Sequence, residues 1–228
     1  SARQRPFVVR RGSGRPLLML VGLGGRAEFW SPLMDRLASR LRCLSFDHRT
    51  DNDQLPPDPA ALVGAYAQDA LAILDAEGLD AVDVIGHSLG GAIAQHLAIH
   101  APDRVSRMVL SATWAGPTEP FLALFALRRA VLEAAGPRAY LEQGGWLGNP
   151  GWWMMQNFAS FMGGVAVRLE TFPGVETEIA RMRAVMAHDL RARLSEIGAP
   201  TLVVCARDDV ITPLPLSVEL AGLIASGI

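Results

Sequence analysis

Ser88 is the residue in this chain best placed to do chemistry. It sits at the centre of Gly86-His87-Ser88-Leu89-Gly90, a G-x-S-x-G pentapeptide. A short apolar run, Val82 to Ile85, leads into it, and a good helix-forming run, Ala92 to Ile99, follows. Strand, tight turn and helix in that order are what a nucleophile elbow needs. The strained turn pushes the hydroxyl clear of the backbone, at a helix N-terminus that favours developing negative charge. An incidental serine in a Gly-rich turn is the alternative, and the strand-turn-helix setting argues against it. A serine hydroxyl is a poor nucleophile at neutral pH. It needs a base, an acid to orient that base, and donors for the oxyanion.

The donors can be read from the sequence as backbone N–H groups. One belongs to Leu89, directly after the nucleophile, and the other to Leu23 in the loop Gly22-Leu23-Gly24-Gly25. The acid lies in Cys205-Ala206-Arg207-Asp208-Asp209-Val210-Ile211-Thr212-Pro213, where two aspartates compete. Asp209 takes the role and Asp208 becomes a solvent-facing turn residue. The base should follow the acid in the chain, yet no histidine occurs between Asp209 and Ile228. Of the five histidines, His87 points away from the nucleophile, and His96 and His100 belong on the following helix. His48, at a strand end, is the best internal substitute, and His188 would have to reach down from elsewhere. The expectation is that the 228 residues lack a C-terminal segment carrying one more strand, the base and a closing helix. The rival is a histidine-less, inactive relative.

The elements that must position these groups alternate along the chain. Strands are expected at Pro6 to Arg10, Leu17 to Val21, Arg42 to Phe46, Val82 to Ile85, Val105 to Ser111 and Thr201 to Cys205. Helices fall at Phe29 to Arg40, Ala61 to Glu77 with Gly78 as its stop, after the elbow, and at Pro215 to Ala225. A polar, Pro-rich loop runs from Asp51 to Pro59. Such alternation implies a doubly wound α/β fold with a mostly parallel sheet. Between residues 114 and 193 the strands stop. Helices are expected at Phe121 to Ala135, Gly151 to Met162 and Glu176 to Leu194, with a turn-rich stretch at Gly144 to Gly151. The chain thus divides into a core (1–113), an inserted helical cap (114–193) and a second core piece (194–228). Trp114, Trp146, Trp152 and Trp153 fall in the cap and are expected to wall an apolar substrate pocket with Gly22.

Composition narrows the function classes. With a net charge of −2, no basic run and scattered arginines, nothing in the sequence points to a nucleic-acid surface. The longest apolar runs are too short to span a bilayer, and Ser1 to Arg11 has no apolar signal core. Cys43 and Cys205 each sit in an apolar strand-like run and read as buried free thiols. No His/Cys/Asp cluster has metal-ligand spacing, so neither metal nor cofactor is expected. The picture is of a cytoplasmic protein with a small-molecule substrate and no nucleic-acid or membrane partner. Oligomeric state is not legible.

With these residues in hand, the chain resembles the α/β-hydrolase superfamily over nearly its whole length. Gly-His-Ser-Leu-Gly-Gly at the elbow, Gly22 to Gly25 followed by Phe29-Trp30, Asp47-His48-Arg49, and Ala199-Pro200-Thr201-Leu202 with Asp209 four before Pro213 carry the resemblance. It supports Asp209 over Asp208. Finer details are similar to the aminoacrylate/carbamate hydrolases of the Rut pyrimidine-degradation pathway. These are Val21 to Gly25, Trp114 after the post-elbow strand, Pro150-Gly151-Trp152, and Val204-Cys205-Ala206. Enol-lactonases share the broader set. Two departures stand out: the usual Gly-x-Gly is absent at Thr50-Asp51-Asn52, and so is the histidine-bearing end. The resemblance implies a serine-type hydrolase of a small acyl compound, with a C–N bond favoured. An enol-lactonase or carboxylesterase is the alternative within the class, and a non-catalytic ligand-binding protein of the same fold lies outside it.

Overall fold

The computed structural model describes residues 7–50 and 55–228. Asp51 and Asn52, where the sequence departs from the family pattern, lie outside the described residues. Strands β1 (Val8–Arg11), β2 (Arg15–Leu20), β3 (Leu41–Phe46), β4 (Val82–His87), β5 (Val105–Ser111) and β6 (Thr201–Val204) form one sheet in the order β1-β3-β2-β4-β5-β6. β1 is antiparallel to β3, and every other pairing is parallel. The continuous apolar run of β2 has a direct cause. Leu18 and Leu20 enter the core beneath α2 (Pro59–Ala76) and α3 (Leu89–His100). Met19 and Val21 enter a smaller core with Trp30 and Met34 on the other face. A strand covered on both sides has no polar face to show. Beyond β6, Ile228 donates its N–H to Thr201 O and accepts from Val203 N–H, so the chain pairs there with the sheet edge.

Local chemistry sets the element ends. Asp58 caps α2 by accepting from Ala60 N–H, and Gly78 with φ 65° follows where that helix stops. The expected helix from Phe29 starts instead as a 3-10 turn, Ala27–Trp30, which leads into α1 (Ser31–Leu37) with Pro32 in its first turn.

Residues 114–193 carry α4 (Glu119–Gly148), α5 (Gly151–Glu170) and α6 (Val175–Ala187). α4 is two helices joined at Gly136, whose φ of 80° and ψ of −179° break the first, and Pro137 opens the second. The expected turn at residues 144–151 is in fact helical as far as Gly148. Gly145 is there for packing: a Cβ on it would lie 1.9 Å from the Phe161 ring of α5. The break comes later, at Asn149-Pro150. α5 runs past the expected Met162 to Glu170, through Gly163 and Gly164. α6 ends at Ala187 rather than Leu194, because His188 leaves the helix to bury against Trp114 and Leu190 N–H pairs with Ala115 O. Cys43 is buried and Cys205 only half-buried, and both are free thiols. Among the described residues no helix is long and apolar enough to cross a membrane.

Close packing under the elbow generates a prediction. A Cβ on Gly90 would lie 2.1 Å from Leu20 O, against backbone that cannot give way. Gly90→Ala is expected to lower unfolding free energy in urea by about 2 kcal/mol or more. Gly222→Ala, in α7 (Leu214–Leu223) with nothing within 4 Å, is expected to raise it by about 0.5–1 kcal/mol.

Candidate active site

β4 delivers Ser88 to the C-terminal edge of the sheet with φ 53° and ψ −119°, left-handed backbone that a serine adopts only under constraint. The packing supplies the constraint. A Cβ on Gly86 would meet Gly90 O at 2.3 Å, and one on Gly91 would meet Thr113 at 2.6 Å. Only bare backbone lets α3 turn back this tightly against β2, β4 and the end of β5. Ser88 N–H donates to Ser111 O at 2.9 Å, while Ser88 O accepts from Gly91 N–H at 2.8 Å and from Thr113 Oγ1 at 2.8 Å. Thr113 was not singled out from the sequence, since one threonine after a strand carries no signal. Ser88 is half-buried.

Leu89 is the first residue of α3, and its N–H therefore has no intrahelical partner. Gly22 lies against the elbow: a Cβ on it would touch Ser88 Cβ at 3.3 Å. The turn after β2 is closed by Gly25 N–H donating to Gly22 O at 3.1 Å, which leaves the Leu23 N–H unused by the turn. Asp47 ties this loop down. Its Oδ1 accepts from Ala27 N–H at 2.8 Å and its Oδ2 pairs with Arg26 at 3.1 Å.

Asp209 stands in the loop after β6. Its Oδ1 accepts from Ile211 and Thr212 N–H at 2.8 Å each, and its Oδ2 accepts from Thr212 Oγ1 at 2.9 Å. Asp208 beside it is exposed. With neighbouring strands about 4.8 Å apart, the ends of β4 and β6, separated by β5, are about 10 Å from each other. The Asp209 charge reaches His87, opposing the burial that pulls the His87 pKa down. His87 stacks on Phe29 at 5.3 Å and its Nδ1 lies 3.4 Å from Ser111 Oγ.

The other histidines are engaged elsewhere. His48 stacks on Tyr66 at 4.5 Å, with both ring nitrogens sealed and unpartnered. Burial, with the Arg181 charge adding to it, holds its pKa well below the usual value. His188 pairs through Nε2 with Gln95 Oε1 at 3.2 Å and crosses Trp114 edge-on. His100 is exposed beside Arg193.

The four tryptophans separate. Trp114 is fully buried against Phe121, Trp153 is half-buried, and Trp146 and Trp152 are 53% and 65% exposed. A surface hollow lined by Gly64, Ala67, His96 and His100 includes neither Ser88 nor Asp209. Among the described residues no group of three or more His, Cys, Asp or Glu side chains could hold a metal ion.

Two outcomes follow from this geometry. Asp209→Ala strands two N–H groups and a hydroxyl, and is expected to cost about 1–3 kcal/mol in urea unfolding, against about 0–0.5 kcal/mol for Asp208→Ala. The second concerns acid. Burial, then the neighbouring His96, lowers His188 to about 3, and burial, then His100, lowers His96 to about 4. Both rings are neutral when folded but protonate near 6.5 when unfolded, so the unfolded chain binds more protons between these values. Stability is complete above about pH 6.5 and falls as acid is added. His188→Gln is expected to flatten that slope by up to about 1.4 kcal/mol per pH unit.

Comparison with known proteins fits this arrangement. Residues 15–226 match the family model described as the alpha/beta hydrolase fold. A protein of Azorhizobium caulinodans named "Putative carbamate hydrolase RutD" is 35% identical over 214 residues, covering 92% of this chain and 79% of the relative. One of the same name from Caulobacter segnis is also 35% identical, covering 92% and 80%. Among solved structures, the enol-lactonase from Burkholderia xenovorans LB400 superposes with a TM-score of 0.85 at 22% identity, over 97% of this chain and 85% of that one. A hydrolase from Pseudomonas aeruginosa PA01 gives 0.80 at 26% identity, over 96% and 82%. The chain belongs to the α/β-hydrolase family.

Proposed function

We propose that this protein is a serine-type hydrolase of small acyl compounds, and that its substrate carries a carbamate-like C–N bond. The strained backbone of Ser88 is the observation that carries the reading. Packing energy is spent to hold one hydroxyl at a helix N-terminus, beside the turn that contains Leu23. The Ser88 hydroxyl attacks the acyl carbon, the C–N bond breaks with the serine proton passed on to the departing nitrogen, and water then cleaves the acyl-serine ester. The N–H groups of Leu23 and Leu89 donate to the oxyanion that forms. Asp209, held by three donors, orients the general base that takes the serine proton. Among the described residues, none of the five histidines hydrogen-bonds Ser88 or Asp209. The chain spans 79% of its Azorhizobium relative's length. Gly22, Trp114, Trp146, Trp152 and Trp153 remain our assignment for the substrate's surroundings. The relatives' names support the carbamate class over an ester or enol-lactone, and the unpaired thiols support a cytoplasmic setting.

A second reading is favoured by one observation: the Asp209 carboxylate is taken up by Ile211 and Thr212 and hydrogen-bonds no histidine among the described residues. On it, the protein binds a small molecule in the same place without turning it over. Steady-state kinetics of the full chain with small p-nitrophenyl carbamates and esters separates the two. The hydrolase reading expects turnover, faster for carbamates, and a loss of about 10³-fold or more in kcat for Ser88→Ala. Ser88→Ala turning over as fast as the parent rejects it, and binding without turnover in the parent selects the second reading.

A further inference from the structure

The cap sends one buried charge down into the loop that carries Leu23. Arg181, on α6, is 1% exposed. Its Nη1 donates to Gly24 O at 3.3 Å, and its Nη2 donates to His48 O and Arg49 O, each at 3.3 Å. Glu178, one turn earlier and 2% exposed, sits 3.4 Å from Nη1 and accepts from the Tyr140 hydroxyl at 2.8 Å. Burying a guanidinium is expensive, and here Nε is left sealed and unpartnered as well. A methionine or leucine could fill the same space more cheaply. What the arginine adds is a set of donors aimed at backbone carbonyls after β2 and β3.

The Gly24 carbonyl matters because of the peptide it belongs to. The unit joining Gly24 to Gly25 accepts from Arg181 at its oxygen and donates at its nitrogen to Gly22 O, at 3.1 Å. The unit joining Gly22 to Leu23 accepts that bond, and its own N–H is the one on Leu23. In a trans peptide N–H and C=O point in opposite directions, so the two units lie in series. A positive charge heads the row and the Leu23 N–H ends it. Each bond in such a row polarises the next. The backbone leaves little slack: Gly24 and Gly25 have φ of 112° and 63°, and a Cβ on Gly25 would lie 2.9 Å from Arg181 Nη2.

We propose that Arg181 is a positioning residue for hydrolysis. Acting through the Gly24 and Gly22 carbonyls, it fixes the Leu23 N–H in place and strengthens it as an oxyanion donor. Seating of the cap and formation of the oxyanion site are then a single event. This rests on the reading of Ser88 as nucleophile and Leu23 as donor given above.

The test compares the parent full chain with Arg181→Met, Arg181→Lys and Ser88→Ala, using p-nitrophenyl acetate as substrate and phenylboronic acid as a tetrahedral mimic. Active sites are counted with a fluorophosphonate. Arg181→Met is expected to lower kcat per titrated site about 10-fold or more, with KM within about 3-fold of the parent. The inhibition constant for the boronic acid should weaken by the same factor as kcat. Arg181→Lys, which keeps the charge and one donor, should fall between the two. If Arg181→Met does not fold, Arg181→Lys decides by the same split between kcat and KM. A variant whose thermal midpoint drops while kcat per site and boronate affinity stay at parental values overturns the proposal. Ser88→Ala keeps the two failures apart. If it is inactive while the Arg181 variants match the parent, only the positioning role is lost; if it is as active as the parent, the nucleophile reading is lost with it.

Discussion

A steric constraint governs this molecule: at three positions where α3 leaves β4, no side chain beyond hydrogen fits. Gly86, Gly90 and Gly91 are pressed against backbone or Thr113 at distances no Cβ could occupy. The residue between them, Ser88, takes up the difference with a φ of 53°. Strain of this kind costs on the order of 1–3 kcal/mol and survives only where its surroundings over-determine it. Here they do. The Ser88 carbonyl and N–H are held by Thr113, Gly91 and Ser111, which belong to α3 and the end of β5. Core packing on both sheet faces thereby becomes a fixed direction for one hydroxyl.

Five separate parts of the chain come together at the C-terminal edge of the parallel sheet. The turn after β2, Asp47 and His48 after β3, the elbow after β4, Thr113 and Trp114 after β5 and Asp209 after β6 all follow strand C-termini. Crevices at that edge are where ligands bind in open α/β sheets. α6 is tied to the same edge by polar contact, since Arg181 reaches carbonyls after two strands from a sealed position beside Glu178.

The core was legible because its elements are short and periodic, and punctuated by Gly and Pro. β5 falls where its apolar run places it, and Gly78 marks the end of α2 as a left-handed glycine does. The elbow was legible because the G-x-S-x-G spacing is itself a steric rule. The helical stretch 114–193 is less legible. Gly144 to Gly148 look like a turn in sequence, yet Gly145 serves a close helix–helix contact with Phe161, which no local pattern reveals. α6 stops early because His188 has a better place against Trp114 and Gln95, a tertiary effect. Thr113 and Arg181 were invisible for the same reason: each acts on backbone carbonyls far away in sequence, and neither belongs to a motif.

The most direct test of the central claim is chemical. The full chain is exposed briefly to a fluorophosphonate, its intact mass is measured, and the modified peptide is mapped. A strained serine at the elbow, with its hydroxyl at a helix N-terminus, predicts one adduct per chain, located on Ser88. No adduct, or an adduct on any other residue, would contradict the account.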